Sequence, residues 1–422
     1  MCAYHAWRFD ADGKCLNIPQ SESGGRDEAQ PKACAKVYPT QVAQDIIWVW
    51  GENGPDAALE SAMSSPALHK VPPGKKVIKN AVTQRDLPYG WDIFMENVMD
   101  PAHVEVSHHG LMGSRYKAKP KPLELVNGIL SEKGLAVAMK SMRGPWRDTS
   151  SFTPPALVEI GAEKPEDRTF QLVVYNIPTR PGWSRMITYQ VLRFTEVLTD
   201  KKVCDFHPLP SMLANRNHIG GWRSEGTPRD LPDWFQHVLG HKFIAQDLVF
   251  LHHQASQRLQ TLAASGIDNR NYGRAVYTPT TSDTGVINVR KWIANFAGGG
   301  PAWVTGCDRT MSPKEWKRDV LLDVYEQHTK NCTACLGALK RVKQLLTAAK
   351  TSLVISLAWA VLRAARVSST SSLTSALARN GVTLRAMFPG LALTFASLAA
   401  IKGLETLHEA FYTSPYHHQD ND

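Results

Sequence analysis

Two uncharged apolar runs near the end of the chain constrain its architecture more than any other feature. Residues 351–362 read TSLVISLAWAVL, and residues 386–401 are again free of charge, with Pro389 among them. Each falls short of the ~20 apolar residues that comfortably span a bilayer core. Lys350, Arg363, Arg385 and Lys402 flank the runs, and basic side chains that snorkel toward headgroups extend the usable length. A buried hairpin in a soluble domain is the plainer reading. Two such runs closing a polar chain, with basic ends, favour a transmembrane helical hairpin over residues 344–422. The mean hydropathy of -0.27 excludes a polytopic transporter but leaves room for a short anchor.

The rest of the chain reads as globular. Its 422 residues suffice for about three domains. With 43% hydrophobic and 21% charged residues, disordered and collagen-like classes are excluded. Seven cysteines, an odd and sparse set, argue against a disulfide-stapled secreted scaffold and fit a reducing compartment. Lys+Arg 48 against Asp+Glu 39 gives a net +9, spread without long basic blocks. No nucleic-acid partner is expected; an acidic protein partner is. The N-terminus shows no signal-peptide pattern, and Met1-Cys2-Ala3-Tyr4-His5 enters a strand-like aromatic stretch abruptly, as a cut edge would. Strands are expected at residues 36–38 and 46–50, then a linker over 51–75. From there to about residue 310 helix and strand mix, with a hairpin of strands 170–177 and 185–194 around Pro181-Gly182 and a long helix over 232–262.

Residues 91–110 concentrate the chemistry: WDIFMENVMDPAHVEVSHHG. Asn97, Asp100 and His103 are three apart, which keeps them on one side of a helix. Pro101 suits a first helical turn if Asp100 is the N-cap. His108 lies five residues after His103, so the imidazoles converge only if the helix ends, bends or bulges between them. Two imidazoles and a carboxylate are the donor set of non-haem Fe(II) oxygenases. Two histidines at this spacing are common by chance, but the whole N-x2-D-x2-H-x4-H pattern is rare. For the carboxylate, Asp247 sits on the apolar stripe that Trp234, Val238, Phe243 or Ile244, Phe250 and Leu251 draw along the long helix. A buried unpaired carboxylate is costly and calls for a cation. Pairing with Lys242, His241 or an Arg is the bland alternative, and Asp100 is the competing ligand.

Two cysteine motifs flank this region. Cys2-x2-His5 is half of a zinc or iron–sulfur ligand set. Cys15 and Cys34 complete a zinc set on spacing alone, but irregularly. Cys332-x2-Cys335 precedes the first apolar run; no second pair of this kind follows, so zinc is disfavoured and a regulatory thiol pair is weighed against structural cysteines. His109, His252, His253, His417 and His418 read as solvated or tail histidines.

Taken together these residues resemble a known family. CAYHAWRFDADGKC resembles the second ligand hairpin of Rieske oxygenases, usually C-x2-H-G-W-x-F, and ENVMDPAHVEVSHH resembles the mononuclear-iron motif of their monooxygenase branch. With RDLPYGWDIFMENVMDPAH, NIPTRPGWSR, QDLVFL, EQHTKNCTACLGA and the apolar hairpin, the whole chain is similar to the pheophorbide a oxygenase family. The resemblance implies an α+β fold: the C-terminal half of a Rieske domain over 1–52, a helix-grip-like catalytic domain with an antiparallel sheet over 53–310, a CxxC linker over 311–343 and the membrane hairpin. It implies Cys2 and His5 as two of four ligands to a [2Fe-2S] cluster, and His103, His108 and Asp247 as ligands of Fe(II). Asp100 would bridge to the Rieske centre of a neighbouring subunit in a homotrimer, and Asn97 would lie beside the iron. Cys332 and Cys335 match the family's redox motif. The implied activity is monooxygenation of a chlorophyll-derived tetrapyrrole, pheophorbide a or chlorophyllide a, using O2 and electrons from ferredoxin at a chloroplast membrane, envelope or thylakoid. A phyllobilin hydroxylase and a non-catalytic redox-sensing membrane subunit are the alternatives. Two departures stand out: the family's first C-x-H hairpin precedes the point where this sequence begins, so an N-terminally incomplete chain is expected, and Ala6 occupies a position where Gly is usual.

Overall fold

The computed structural model describes residues 1–70, 76–79, 82–111, 115–116, 122–140, 147–163, 169–194, 231–265, 269–274, 276–303, 317–369 and 376–414. Cys204, Cys307, His417 and His418 lie outside them. The chain divides into two compact units, Met1–Lys70 and Val71–Asp422.

The first unit holds two small antiparallel pairs, β1 (Arg8–Phe9) with β2 (Cys15–Asn17) and β3 (Thr40–Ala43) with β4 (Ile46–Val49), and helix α1 (Ala57–Met63). Cys15, Ile18 and Ala33 are buried there against Trp7 and Phe9. Gln44 and Asp45 close the second pair with φ of 55 and 64, the consecutive left-handed residues that a two-residue hairpin turn requires. Residues 36–38, expected as a strand, form none, and the next strand, β3, begins at Thr40. Ala35 N–H donates to Gly13 O at 2.8 Å, so this segment packs on the Gly13 turn instead of entering a ladder. A Cβ on Gly13 would meet Ala35 O at 2.2 Å, and its φ is +79. The expected linker also contains α1.

The second unit is built on an eight-stranded sheet, ordered β5-β12-β11-β10-β9-β8-β7, with β6 also on β12. Its strands are β5 (Lys76–Lys79), β6 (Thr83–Leu87), β7 (Leu125–Ser131), β8 (Gly134–Lys140), β9 (Arg147–Thr153), β10 (Leu157–Glu163), β11 (Thr169–Arg180) and β12 (Trp183–Phe194). All pairings are antiparallel. The Pro181-Gly182 hairpin joins β11 and β12 as expected, with Gly182 at φ 72. Alternation places Val137, Met139, Phe152, Val158, Val174 and Met186 in one core. Helices α2 (Trp91–Val98), α4 (Asp233–Ser265) and α5 (Thr284–Phe296) fill the other side of that core with Phe94, Met95, Leu248, Leu251, Val289 and Ile293; α3 (Val104–Ser107) is a single turn. The architecture is the expected α+β one, helices packed on an antiparallel sheet.

Polar contacts set the helices in place. Asn176 Nδ2 donates to Trp91 O at 2.9 Å, tying α2 to β11. Gly285 lets α5 approach the carbonyl of Met99, which a Cβ would meet at 2.1 Å. Arg290 of α5 pairs with Glu96 and, at 3.1 Å, with Asp92, both on α2, and Arg258 of α4 also pairs with Asp92. Two acids and two guanidiniums thus close on each other where α2, α4 and α5 meet.

The short helices α6 (Arg318–Leu321) and α7 (Val324–Gln327) lead to α8 (Thr333–Ser369), which packs along α9 (Ala376–Glu409). The polarity of this hairpin is inverted. Ser356 is 1% exposed and Ser397 5%, whereas Ile355, Val361 and Phe395 are 61–70% exposed. Ser356 Oγ lies 2.9 Å from Thr394 Oγ1, Ser397 Oγ donates to Ser352 Oγ at 3.1 Å, and Gly390 lies under the Trp359 ring. Small residues inside and large apolar ones outside are the packing of helices in lipid.

Replacing Arg290 by Met leaves the buried Glu96 carboxylate with the Gln254 amide, 3.2 Å away, as its one remaining partner among the described residues. Chemical denaturation is expected to show a loss of about 3–5 kcal/mol, since an uncompensated buried charge carries that cost. The double change with Glu96→Gln should recover most of it.

Candidate metal centre

The two histidines of residues 91–110 bracket one turn of helix. His103 is the N-cap of α3 and His108 its C-cap, so the helix ends between them and their ring centroids come to 5.4 Å. Asp100 does not cap a long helix; its Oδ1 accepts from Ala102 N–H at 2.8 Å and shapes the bend after α2. Asp247 enters from the middle of α4. Its Oδ2 lies 3.6 Å from His103 Nε2 and 3.2 Å from His108 Nε2. One donor atom from each of the three residues falls within 4.8 Å of the others.

The neighbours orient every member. His108 is 1% exposed, stacks on Phe243 with centroids 3.6 Å apart, and donates from Nδ1 to Gln246 Oε1 at 3.1 Å. The Gln246 amide in turn donates to His109 O at 3.1 Å, which fixes its flip and therefore the His108 tautomer. Nε2 of His108 is left as the acceptor facing Asp247. His103 shows the same division: Nδ1 faces Asp100 Oδ2 at 3.5 Å and Nε2 faces the centre. Asn97 Nδ2 donates to Asp247 Oδ2 at 3.3 Å.

Burial works against a charge on His103, but the Asp100 and Asp247 carboxylates at its two nitrogens outweigh it and push its pKa up to about 10. Burial also opposes the charge of Asp247, and the His103 and His108 imidazoles beside its Oδ2 hold its pKa well below the usual carboxylate range. With carboxylates facing both nitrogens of His103 and two imidazoles facing Asp247, the site is built for positive charge. Two imidazoles and one carboxylate on one side, with a cavity on the other, suit a borderline divalent ion such as Fe(II). That cavity, about 280 Å³, is lined by Asn97, Asp100, Phe250, Leu251, Tyr272 and Val286 among others.

The sequence-derived residues fall as follows. Asp247 is at the focus, while Asp100 touches the outer nitrogen of His103. Neither Lys242 nor His241 pairs with Asp247; His241 stands instead against the His328 ring, 4.4 Å between centroids. Phe250, expected in the core, is 44% exposed and faces the cavity; Leu248, at 0%, holds its place in the core. His252, read as solvated, is buried and bonded to Pro88 O through Nδ1 at 2.6 Å. The positioning residue missed from sequence is Gln246, one position before Asp247; its polarity on a half-buried helix was the available signal. Cys332 and Cys335 lie at the start of α8 beside His237 of α4 and His328, neither of which was singled out.

In the first unit Cys2 and His5 are exposed on a tight turn in which Ala6 N–H donates to Cys2 O at 3.0 Å. Ala6 has a φ of 59, the conformation that a glycine adopts freely. A Rieske cluster takes two thiolates and two imidazoles. Cys2 and His5 supply one of each, a fit to half of the set.

Comparison with known proteins agrees with the sequence resemblance. Residues 152–263 match the family model described as pheophorbide a oxygenase. The chain is 30% identical over 360 residues to the chloroplastic pheophorbide a oxygenase of Oryza sativa subsp. japonica, covering 82% of this chain and 62% of that protein. It is 28% identical over 363 residues to the chloroplastic flavonoid 8-hydroxylase 2 of Ocimum basilicum, covering 82% and 62%. A crystal structure of dicamba monooxygenase bound to dicamba aligns with a TM-score of 0.43 at 15% identity, covering 70% of this chain and 79% of that one. The chain is thus similar to the pheophorbide a oxygenase family over about four fifths of its own length, and it spans about three fifths of the length of the curated relatives it matches.

Iron analysis of the reconstituted chain should find one Fe(II) that is lost in His103→Ala and Asp247→Ala. Gln246→Leu, which frees the His108 ring without removing a ligand, should weaken iron binding about 10–100-fold, the range for residues that orient metal-bound histidines.

Proposed function

We propose that this chain holds Fe(II) at His103, His108 and Asp247 and is the catalytic and anchoring part of a chloroplast-membrane monooxygenase acting on a chlorophyll-derived tetrapyrrole, pheophorbide a before chlorophyllide a. What carries the reading is the convergence of both Nε2 atoms on one buried carboxylate oxygen at 3.2 and 3.6 Å, beside a cavity. Iron bound there would supply O2 activation for oxygen insertion. The chain's own residues bind and orient. Gln246 holds the His108 tautomer, Asn97 holds Asp247, and Phe250, Leu251 and Val286 offer an apolar wall to the reacting edge. A cavity of about 280 Å³ takes that edge rather than a whole macrocycle.

Asp100 is the link to the outside. It touches His103 and is itself 31% exposed, so a partner's redox centre can reach the site through its carboxylate. That partner would be a neighbouring subunit of a homotrimer, with Cys2 and His5 as half of the ligands of its [2Fe-2S] centre. Electrons would come from ferredoxin, an acidic donor suited to the net charge of +9. The inverted hairpin of α8 and α9, with two candidate spans at Thr333–Arg363 and Pro389–Glu409, would be the membrane anchor.

A second substrate class is favoured by one observation: a relative named for flavonoid 8-hydroxylation matches the chain nearly as closely as those named for pheophorbide a.

In a chain carrying the complete [2Fe-2S] ligand set, with iron, a reduced ferredoxin supply and isotopically labelled O2, pheophorbide a should drive O2 uptake and give a product carrying one labelled atom. Uptake only with a flavone would transfer the reading to the second class, and none with either would end it. Asp100→Asn should keep its iron and lose activity about 10–100-fold. The full chain should stay in the membrane pellet after an alkaline carbonate wash.

A further inference from the structure

A second cluster of metal-type donors lies ten residues along α4 from Asp247. His237 of α4, His328 in the turn after α7, and Cys332 and Cys335 at the start of α8 bring one nitrogen or sulfur each to within 4.8 Å of one another. His237 Nδ1 is 3.5 Å from Cys332 Sγ and 3.4 Å from Cys335 Sγ, and His328 Nε2 is 3.3 Å from Cys335 Sγ. A tetrahedral ion with bonds of about 2.3 Å to sulfur and 2.0–2.1 Å to nitrogen separates its sulfur and nitrogen donors by about 3.6 Å. The pocket already has nearly those dimensions.

The imidazoles are also presented as ligands. A backbone carbonyl only accepts, so the ring nitrogen facing it must carry the hydrogen. His237 Nε2–H donates to Val82 O at 3.0 Å, and His328 Nδ1–H donates to Gln84 O. In a neutral ring the remaining nitrogen then offers a lone pair, and in both cases that nitrogen faces the sulfurs. Orienting a ligand histidine through its far N–H is how metal sites are commonly held. His237, His328 and Cys335 are buried at 1–4% exposure, and both cysteines are free thiols.

From this geometry we propose that His237, His328, Cys332 and Cys335 form a structural zinc site. Four protein donors close a tetrahedron and leave no position for substrate, the mark of structural rather than catalytic zinc. A [2Fe-2S] cluster does not suit the arrangement: it would place the thiolates and imidazoles on opposite irons, whereas here His237 Nδ1 touches both sulfurs. The ion would staple the first residues of α8 to the middle of the catalytic unit, joining β6 through two carbonyls, α4 through His237 and the hairpin base through Cys335. The site shares no ligand with the iron centre and stands whether or not the iron reading does.

The full chain, purified without chelator, tests this. One zinc per chain is expected by mass spectrometry of the metals, retained in His103→Ala and lost in Cys332→Ser and His237→Ala. A mercurial that titrates thiols should release the zinc from the wild type. If these variants fail to fold, the wild type still decides: growth with cobalt should give the intense visible absorption and thiolate charge-transfer band of a tetrahedral sulfur-ligated ion. Chelator treatment should then expose Cys332 and Cys335 to alkylation. Absence of zinc with a Cys332–Cys335 disulfide in the non-reduced peptide map would overturn the proposal in favour of a redox dithiol. Absence of zinc with both thiols alkylated at once would overturn it in favour of structural cysteines.

Discussion

A carboxylate inside an apolar core must be answered, and the arrangement of the catalytic unit follows from how Asp247 is answered. At 8% exposure on α4 it sits between Ala245, Leu248 and Leu251, where an unpaired charge would cost several kcal/mol. The reply is two imidazoles from one short segment, which requires α2 to stop at Val98, the chain to bend at Asp100, and a single turn to separate His103 from His108. Gly285 admits α5 against Met99 just before that bend. The bend, the turn and the close helix approach are one solution to a single electrostatic demand.

Helix α4 contributes to both clusters of metal-type donors and to the buried contact of acids and guanidiniums. Its 33 residues carry His237, Gln246, Asp247, His252 and Arg258. Ten residues separate His237 from Asp247, about 15 Å of helix at 1.5 Å per residue. The Arg258 pair with Asp92 then fastens the far end to α2. A site mounted on such an element inherits its rigidity, which is what positioning within a fraction of an ångström needs. The sheet beneath it contributes mostly carbonyls and shape: Val82, Gln84 and Pro88 each accept from a histidine on or beside α4.

Much of this could be read from residues 91–110 because the information there is local. The spacing of Asn97, Asp100, His103 and His108 is chemically loaded within twelve positions, and the requirement that the helix break between the histidines was itself derivable. Asp247 was found by a burial argument, from an acidic residue on an apolar stripe. The same stripe misplaced Phe250, because a cavity wall and a core wall have the same composition. The histidine partners of Cys332 and Cys335 were not legible. His237 lies 95 residues before Cys332, and nothing local marks it among fifteen histidines; only the fold brings it to the sulfurs. Lone donors from distant elements carry no spacing signal, whereas pairs within one turn do.

The hairpin shows the opposite limit, where composition speaks but packing decides. Apolar runs of this length are equally at home in a soluble core, and the difference lies in which residues face inward. Within the two uncharged runs the buried positions among the described residues are Ser356, Gly390 and Ser397, and Ile355, Val361 and Phe395 face outward. In water that arrangement would expose the driving force for folding instead of satisfying it; in lipid it is the economical one, because hydroxyls find partners only within the pair. Sixteen residues of α8 separate Cys335 from Thr351, where the uncharged run begins, about 24 Å of helix. That stretch carries Lys340, Arg341, Lys343 and Lys350, and Lys350 Nζ reaches Glu405 Oε1 of α9 at 3.1 Å. With the apolar run in a bilayer, these charges lie at and above the headgroups, and the clustered donors at Cys332 and Cys335 stand where the helix leaves the body of the protein. If the run anchors the chain, α8 carries the anchor's position to the second unit only while its first turn is held, and that turn is where Cys332 and Cys335 stand against His237 and His328.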